Sequence, residues 1–162
     1  MSALQHGEHR PPPVGRIPAA ALAERRWLLD FAENPRRDTL HADRQLVTQA
    51  VIQLAQNAAQ HTEEHGRIGI GGRPGPDWVE LWVRGTGPGI RPADRQRVFG
   101  VFTRAEESRG RTGAGLGLAI VKAIAEAHHG EIQLDSAPGR GSTFTLLIPY
   151  VTHALNSGPH RP

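Results

Sequence analysis

The stretch "DRQLVTQAVIQLAQNAAQHT", residues 43 to 62, constrains the fold more than any other. Its apolar residues Leu46, Val47, Ala50, Val51, Leu54, Ala55 and Ala58 recur at spacings of three and four, the period of a helix with one buried stripe. Asp43 precedes them as an N-cap, and the helix is expected to end near Thr62. Such a helix must lay its stripe on a second layer. Runs of period two supply that layer: "RRWLLDFAE" (25 to 33), "RIGIGG" (67 to 72), "VELWVRG" (79 to 85), "EIQLDS" (131 to 136) and "STFTLLIP" (142 to 149).

The turns order these runs. "NPRR" is expected to join the first run to a second short strand, "DTLHA" (38 to 42), while "RPGPD" and "APGRG" close the middle and last pairs into hairpins. "ADRQRVFGVF" (93 to 102) reads as one short helix. Residues 103 to 114 have neither period nor apolar content, and a loop of that length in a compact domain is expected to be functional or disordered. "GLGLAIVKAIAEAHHG" (115 to 130) is a second helix, with Leu118, Ile120, Val121, Ile124 and Ala125 inward and Gly130 as its stop. The expected fold is α+β: a two-layer α/β sandwich, its mixed, mainly antiparallel sheet carrying helices on one face. No internal repeat is present.

Composition sets the limits. The 162 residues suffice for one domain with a proper core and are too few for two ordinary ones. Six of the thirteen prolines fall near the ends, in "RPPPVGRIP" and "NSGPHRP", which places a domain at residues 23 to 151 between a flexible proline-rich segment, 1 to 22, and a disordered tail, 152 to 162. The formal charge is only +3, Lys122 is the sole lysine, and the arginines alternate with acids instead of forming a stripe, so no nucleic-acid partner is expected. The absence of cysteine removes disulfides and thiolate chemistry, and no run approaches eighteen apolar residues. A cytoplasmic protein without membrane insertion is the expectation.

Four stretches carry candidate chemistry. Asn57 lies on or beside the apolar face of the first helix, where an amide needs a partner; alone it reads more simply as a core-edge residue bonded to backbone. "GTGPGI" (85 to 90) has glycines that let a backbone approach a ligand, although by itself it is only a turn. "GAGLGL" (113 to 118) opens a helix whose first N–H groups form a phosphate cradle, and it does not fit the dinucleotide fingerprint, since no strand immediately precedes it. "GRGSTF" (139 to 144) is a tight turn into the last strand.

In this order and at these separations, the asparagine helix, the G-x-G turn, the Phe99-x-x-Phe102 segment, "GAGLGL" and "GRGSTF" resemble the ATP-binding catalytic domain of sensor histidine kinases. That domain has the Bergerat-type fold shared with gyrase and a heat-shock chaperone. The likeness covers residues 25 to 150, and the wording of "QAVIQLAQNAAQHT" and "VRGTGPGI" is similar to actinobacterial members in particular.

The resemblance implies ATP and Mg2+ as cofactors. It makes Asn57 the magnesium ligand and a catalytic residue, a role suited to an amide oxygen. Gly87 and Gly89 correspond to the turn under the adenine, with Ile90 packed on the ring. Phe99 and Phe102 correspond to the anchor of a lid. Arg104 corresponds to a catalytic basic residue at the terminal phosphate. Gly113, Gly115, Leu116, Gly117 and Leu118 correspond to the triphosphate cradle, and Ser142 or Thr143 to a hydroxyl reaching the base through water. Gln53, Gln60 and His61 stand along the phosphate side of the helix, and Thr86 in the base turn.

Departures from the pattern matter as much. Gly85 stands where the family has the aspartate that accepts from the adenine amino group, a loss of about 1 to 3 kcal/mol, or roughly ten- to a hundredfold in affinity. Thr86 is one residue out of register to replace it. Gln53 stands where kinases often have a second asparagine, and Gln60 where many have a lysine. In the related ATPases the position of Gln53 holds a glutamate that activates water; glutamine has no basic site, so autonomous hydrolysis is not expected. Phosphoryl transfer relies on positioning and charge stabilisation and needs no such base.

None of the nine histidines has the setting of a phosphate acceptor. His61 and His65 read as a solvated helix end, His128 and His129 as C-terminal capping groups. The expected activity is therefore histidine protein kinase in trans: phosphoryl transfer to a histidine on a separate dimerisation protein and, through it, to a response regulator. Two other readings stay open, a degenerate domain acting as a partner-binding or regulatory module, and a serine kinase of the anti-sigma type. The last would be expected to lack the Phe-x-x-Phe segment.

Overall fold

The computed structural model describes residues 25–32, 40–100 and 116–150. They form a five-stranded sheet with two helices packed on one face. The elements are β1 (Arg26–Phe31), α1 (Arg44–His61), β2 (Arg67–Pro74), β3 (Trp78–Gly85), α2 (Gly117–Ala127), β4 (Glu131–Ala137) and β5 (Gly141–Pro149). Strand order is β1-β2-β3-β5-β4; β1 runs parallel to β2 and the other pairs are antiparallel.

The register sorts the side chains. Ile70 pairs with Val83, Val83 with Phe144, Leu81 with Leu146 and Val79 with Ile148, so these residues share the face that meets the helices. From α1, Ala50, Leu54, Ala55, Ala58 and Ala59 are buried against them, and α2 adds Val121, Ile124 and Ala125. Alanine at four of the five buried α1 positions lets the helix axis lie close to the sheet, which keeps the core dense with few aromatics.

On the opposite face β2 offers glycine. A Cβ on Gly71 would stand 2.1 Å from the Trp82 ring, and one on Gly69 would stand 3.2 Å from it, so that ring covers the bare backbone of β2.

Capping follows the sequence at both ends of α1. The Asp43 carboxylate accepts from the N–H groups of Gln45 and Leu46, at 2.9 and 3.0 Å, and Thr62 caps the other end of α1. The C-terminus of α2 corrects the expected stop. The residue in the left-handed conformation is His129, φ 57°, and not Gly130; Gly130 N–H bonds Ala125 O and His129 N–H bonds Glu126 O, as in a Schellman ending. Gly130 is required for another reason, since a Cβ there would meet Leu147 O at 2.0 Å.

Two other expectations fail. Leu40–Ala42 form no strand, and β1 takes β2 as its neighbour, with Trp27 paired to Ile68 and packed on the core. Residues 93–100 hold two short 3-10 turns, Pro92–Asp94 and Arg97–Phe99, in place of one helix. Asp94, only 5% exposed, is drawn inward by Arg91 at 2.8 Å and Arg97 at 3.7 Å, which breaks the helical path between the turns. Among the described residues no helix is long and apolar enough to cross a membrane.

Candidate functional site

The end of α1, the start of α2, the turn after β3 and the β4–β5 turn converge at one edge of the sandwich. Gln53, Asn57, Gln60 and His61 lie along the last turns of α1, Gln60 exposed and the others partly so. A Cβ on Gly117 would stand 2.8 Å from Gln53 Oε1, so the Gln53 amide lies against the first residue of α2. Leu116 provides no side-chain cap there, which leaves the first N–H groups of α2 without an intrahelical or side-chain acceptor. Asn57 makes no side-chain hydrogen bond among the described residues.

The glycine turn is wedged between two neighbours. A Cβ on Gly87 would meet His61 O at 2.2 Å, and one on Gly89, φ 79°, would meet Ala137 O at 2.0 Å. The small residues are therefore spent on packing the turn between α1 and the β4–β5 turn, in contrast to the expectation that they exist for ligand approach. Pro88 O accepts from Gly139 N–H at 2.7 Å, and Ile90 N–H donates to Ser136 Oγ at 2.8 Å. Ile90 and Phe99 pack on the core, Phe99 edge-on to Phe144 with centroids 6.0 Å apart.

Gly85 points into the protein as well. A Cβ there would stand 2.8 Å from Thr62 Oγ1 and 3.5 Å from Ala58 Cβ. Thr62 is 1% exposed and its hydroxyl has no hydrogen-bond partner. A buried hydroxyl without a partner costs about 1 to 3 kcal/mol, and this one faces the position from which a carboxylate at residue 85 would project. Thr86 is committed elsewhere: its hydroxyl accepts from Arg67 N–H at 3.0 Å.

Ser142 and Thr143 separate by face. Ser142 pairs with Gly85 across the ladder and its hydroxyl lies 2.8 Å from that of Ser136, at the site edge. Thr143 lies on the other side of the sheet, in a groove of about 370 Å3 lined also by Asp30, Arg73, Glu80, Trp82 and Thr145. The alternation of strand side chains thus excludes Thr143 from the constellation that holds Ser142. Phe102, Arg104, Gly113 and Gly115 lie outside the described residues, whereas Leu116, Gly117 and Leu118 form the start of α2.

Three residues of the site are not singled out by sequence. Thr62 closes the asparagine-helix stretch and is hidden by its place at a helix end, Ser136 by its place at a strand end, and Arg95, whose guanidinium donates to Ser136 O, by the surrounding arginine bias. Ser136 Oγ also donates to Gly141 O at 3.0 Å, so it ties the glycine turn to the last hairpin. A serine two residues before the Pro138–Gly139 turn was the available signal.

The donor set can be tested against the cofactors. Among the described residues no group of three or more His, Cys, Asp or Glu could hold a metal, so a protein-only cation site is excluded there. The Gln53 amide beside the start of α2, with Asn57 one helical turn further along α1, suits phosphates and an accompanying hard cation.

Comparison with known proteins agrees with this arrangement. Residues 42–152 match the family described as histidine kinase-, DNA gyrase B-, and HSP90-like ATPase. The chain is 40% identical over 116 residues to the sensor-like histidine kinase SenX3 of Mycobacterium tuberculosis, an alignment covering 70% of this chain and 28% of that protein. It is 37% identical over 135 residues to the circadian input-output histidine kinase CikA of Synechococcus elongatus, covering 82% and 18%. The chain thus spans little more than a quarter of these curated relatives, or less. Among solved structures, the mycobacterial sensor histidine kinase MprB superposes with a TM-score of 0.68 at 29% identity, covering 77% of this chain and 83% of that one. Full-length ShkA in complex with AMPPNP superposes with a TM-score of 0.64 at 30% identity, covering 78% and 25%.

Proposed function

This chain belongs to the histidine kinase-, DNA gyrase B-, and HSP90-like ATPase family, and from that premise we propose that residues 23 to 151 bind Mg-ATP and present its γ-phosphate to a histidine on a separate dimerisation protein. That acceptor would in turn feed a response regulator, in the cytoplasm where ATP is held. The observation that carries the reading is the meeting of Gln53 with the start of α2, where Leu116 provides no side-chain cap, Asn57 lying one helical turn further along α1.

In this reading the start of α2 binds the phosphates through its N–H groups, and Gln53 orients them from the facing helix. Asn57 is the residue that would hold magnesium. The magnesium it would hold would supply positive charge against that of the phosphates. Ile90 supports the base, and Ser142 lies at its edge. Arg104 is assigned to the charge on the terminal phosphate. Gln53 has no basic site with which to activate water, so transfer to an acceptor is favoured over hydrolysis. The complex of ShkA with AMPPNP supports an adenine nucleotide as ligand.

A second reading rests on Gly85 and the orphaned Thr62 hydroxyl: the domain keeps its fold and partner face while binding nucleotide weakly, and acts as a regulatory module. The two readings separate on incubation with γ-labelled ATP and candidate histidine-containing dimerisation proteins from the same organism. Acid-labile label on an acceptor, lost with Asn57→Ala, supports transfer. Mg-ATP binding without transfer to any acceptor supports the regulatory module.

A further inference from the structure

Strand β1 is the edge of the sheet and carries three of the five large hydrophobic residues exposed on the described surface. Leu28 is 52% exposed, Leu29 74% and Phe31 59%. Its inner edge is fully used by β2, since Arg26 N–H donates to Gly66 O and Ala32 N–H to Gly72 O. In a parallel ladder this parity turns the backbone groups of residues 26, 28, 30 and 32 toward β2 and those of 27, 29 and 31 toward the free edge. An uncovered apolar edge of this kind is a template for another strand.

The sequence of β1, Arg26-Trp27-Leu28-Leu29-Asp30, is complementary to itself when reversed. We propose that β1 pairs antiparallel with β1 of a second copy of this chain, about a two-fold axis at Leu28, joining two sheets into one of ten strands. In that register Trp27 faces Leu29 of the partner, which are both outward-directed residues, so the two exchange backbone hydrogen bonds. Leu28 faces its own copy in a close, non-hydrogen-bonded pair. Arg26 faces Asp30 of the partner twice, once on each side of the axis, and among the described residues neither makes an ion pair within its own chain. Shifting the axis to Leu29 would also satisfy the backbone, but it sets Leu28 against Asp30 and leaves Arg26 without a carboxylate. Charge therefore selects the register. The contact is isologous and closes at two copies.

Sedimentation of the full chain over a concentration series tests this. A monomer–dimer equilibrium with Kd on the order of 100 µM is expected, weak because the strand pair is short and its ion pairs are exposed, and it should weaken further with salt. Arg26→Asp and Asp30→Arg each set like charges opposite one another and should raise Kd by at least about tenfold, while the double swap returns it to within about threefold of the natural chain. Leu28→Lys, which places two ammonium groups at the axis, should also abolish the dimer, with circular dichroism confirming that each variant is folded. A chain that stays monomeric throughout, or a dimer indifferent to the single swaps or not restored by the double swap, overturns the proposal.

Discussion

A side chain at position 85 would enter a place that Thr62 already lines, and the pair Gly85 and Thr62 is the residue-scale centre of the site. With Cβ only 2.8 Å from Thr62 Oγ1, an aspartate there needs the hydroxyl to shift by a few tenths of an ångström. Threonine resists, because its branched Cβ holds few rotamers and its methyl lies over Gly66. In the folded chain without aspartate the hydroxyl is desolvated and unpaired, so its removal should relieve a cost. Thr62→Val, which conserves shape and deletes the hydroxyl, is expected to raise the unfolding free energy by about 1 kcal/mol in urea titration. Because Thr62 is buried behind Gly85, its Mg-ATP affinity should stay within about threefold of the natural chain; a larger loss would mean that the hydroxyl itself reads the base.

At the scale of elements, the start of α1 and the end of α2 are held by one another. Asp43 N–H donates to His128 Nε2 at 3.0 Å, while His128 Nδ1–H donates to Ile124 O at 2.7 Å, so one neutral imidazole links both helix ends. The Asp43 carboxylate acts independently, accepting from Gln45 and Leu46 N–H groups. Asp43→Ala should therefore cost about 1 kcal/mol of stability and Asp43→Asn much less, because an amide oxygen still caps and the backbone bond to His128 is untouched. Equal losses for the two variants, measured in the same urea titrations, would contradict the capping account. The helices themselves were legible from period alone, as were the cap at Asp43 and the two hairpins. The stop at His129 was not, because a histidine in the left-handed conformation is chosen by the Schellman bonds and by the approach of Gly130 to Leu147. Nor was the partner of β1: local turn chemistry at "NPRR" pointed to the next segment, and a parallel neighbour forty residues away leaves no local trace.

Across the whole molecule, the ordered motifs pointed to the family better than any residue did alone. Asn57, the glycine turn and "GRGSTF" are far apart in the chain, yet the fold brings the turn between His61 O and Ala137 O. What the motifs hid was the direction of each side chain. The glycines face inward to protein, Thr143 falls on the far side of the sheet, and Thr62, Ser136 and Arg95 complete the edge without being singled out by sequence. Such facts depend on register and packing between elements, which spacing along one chain does not encode.

In the proposed function this edge is a nucleotide site in which Gly85 replaces the base-reading carboxylate. Calorimetric titration of Mg-ATP and Mg-GTP into the natural chain and into Gly85→Asp tests it directly. The natural chain should bind both weakly and with little preference. Gly85→Asp should gain about ten- to a hundredfold for Mg-ATP alone, at some cost in stability from the crowded, buried carboxylate. Binding of neither nucleotide by either folded protein, or an equal gain for Mg-GTP, would contradict the account.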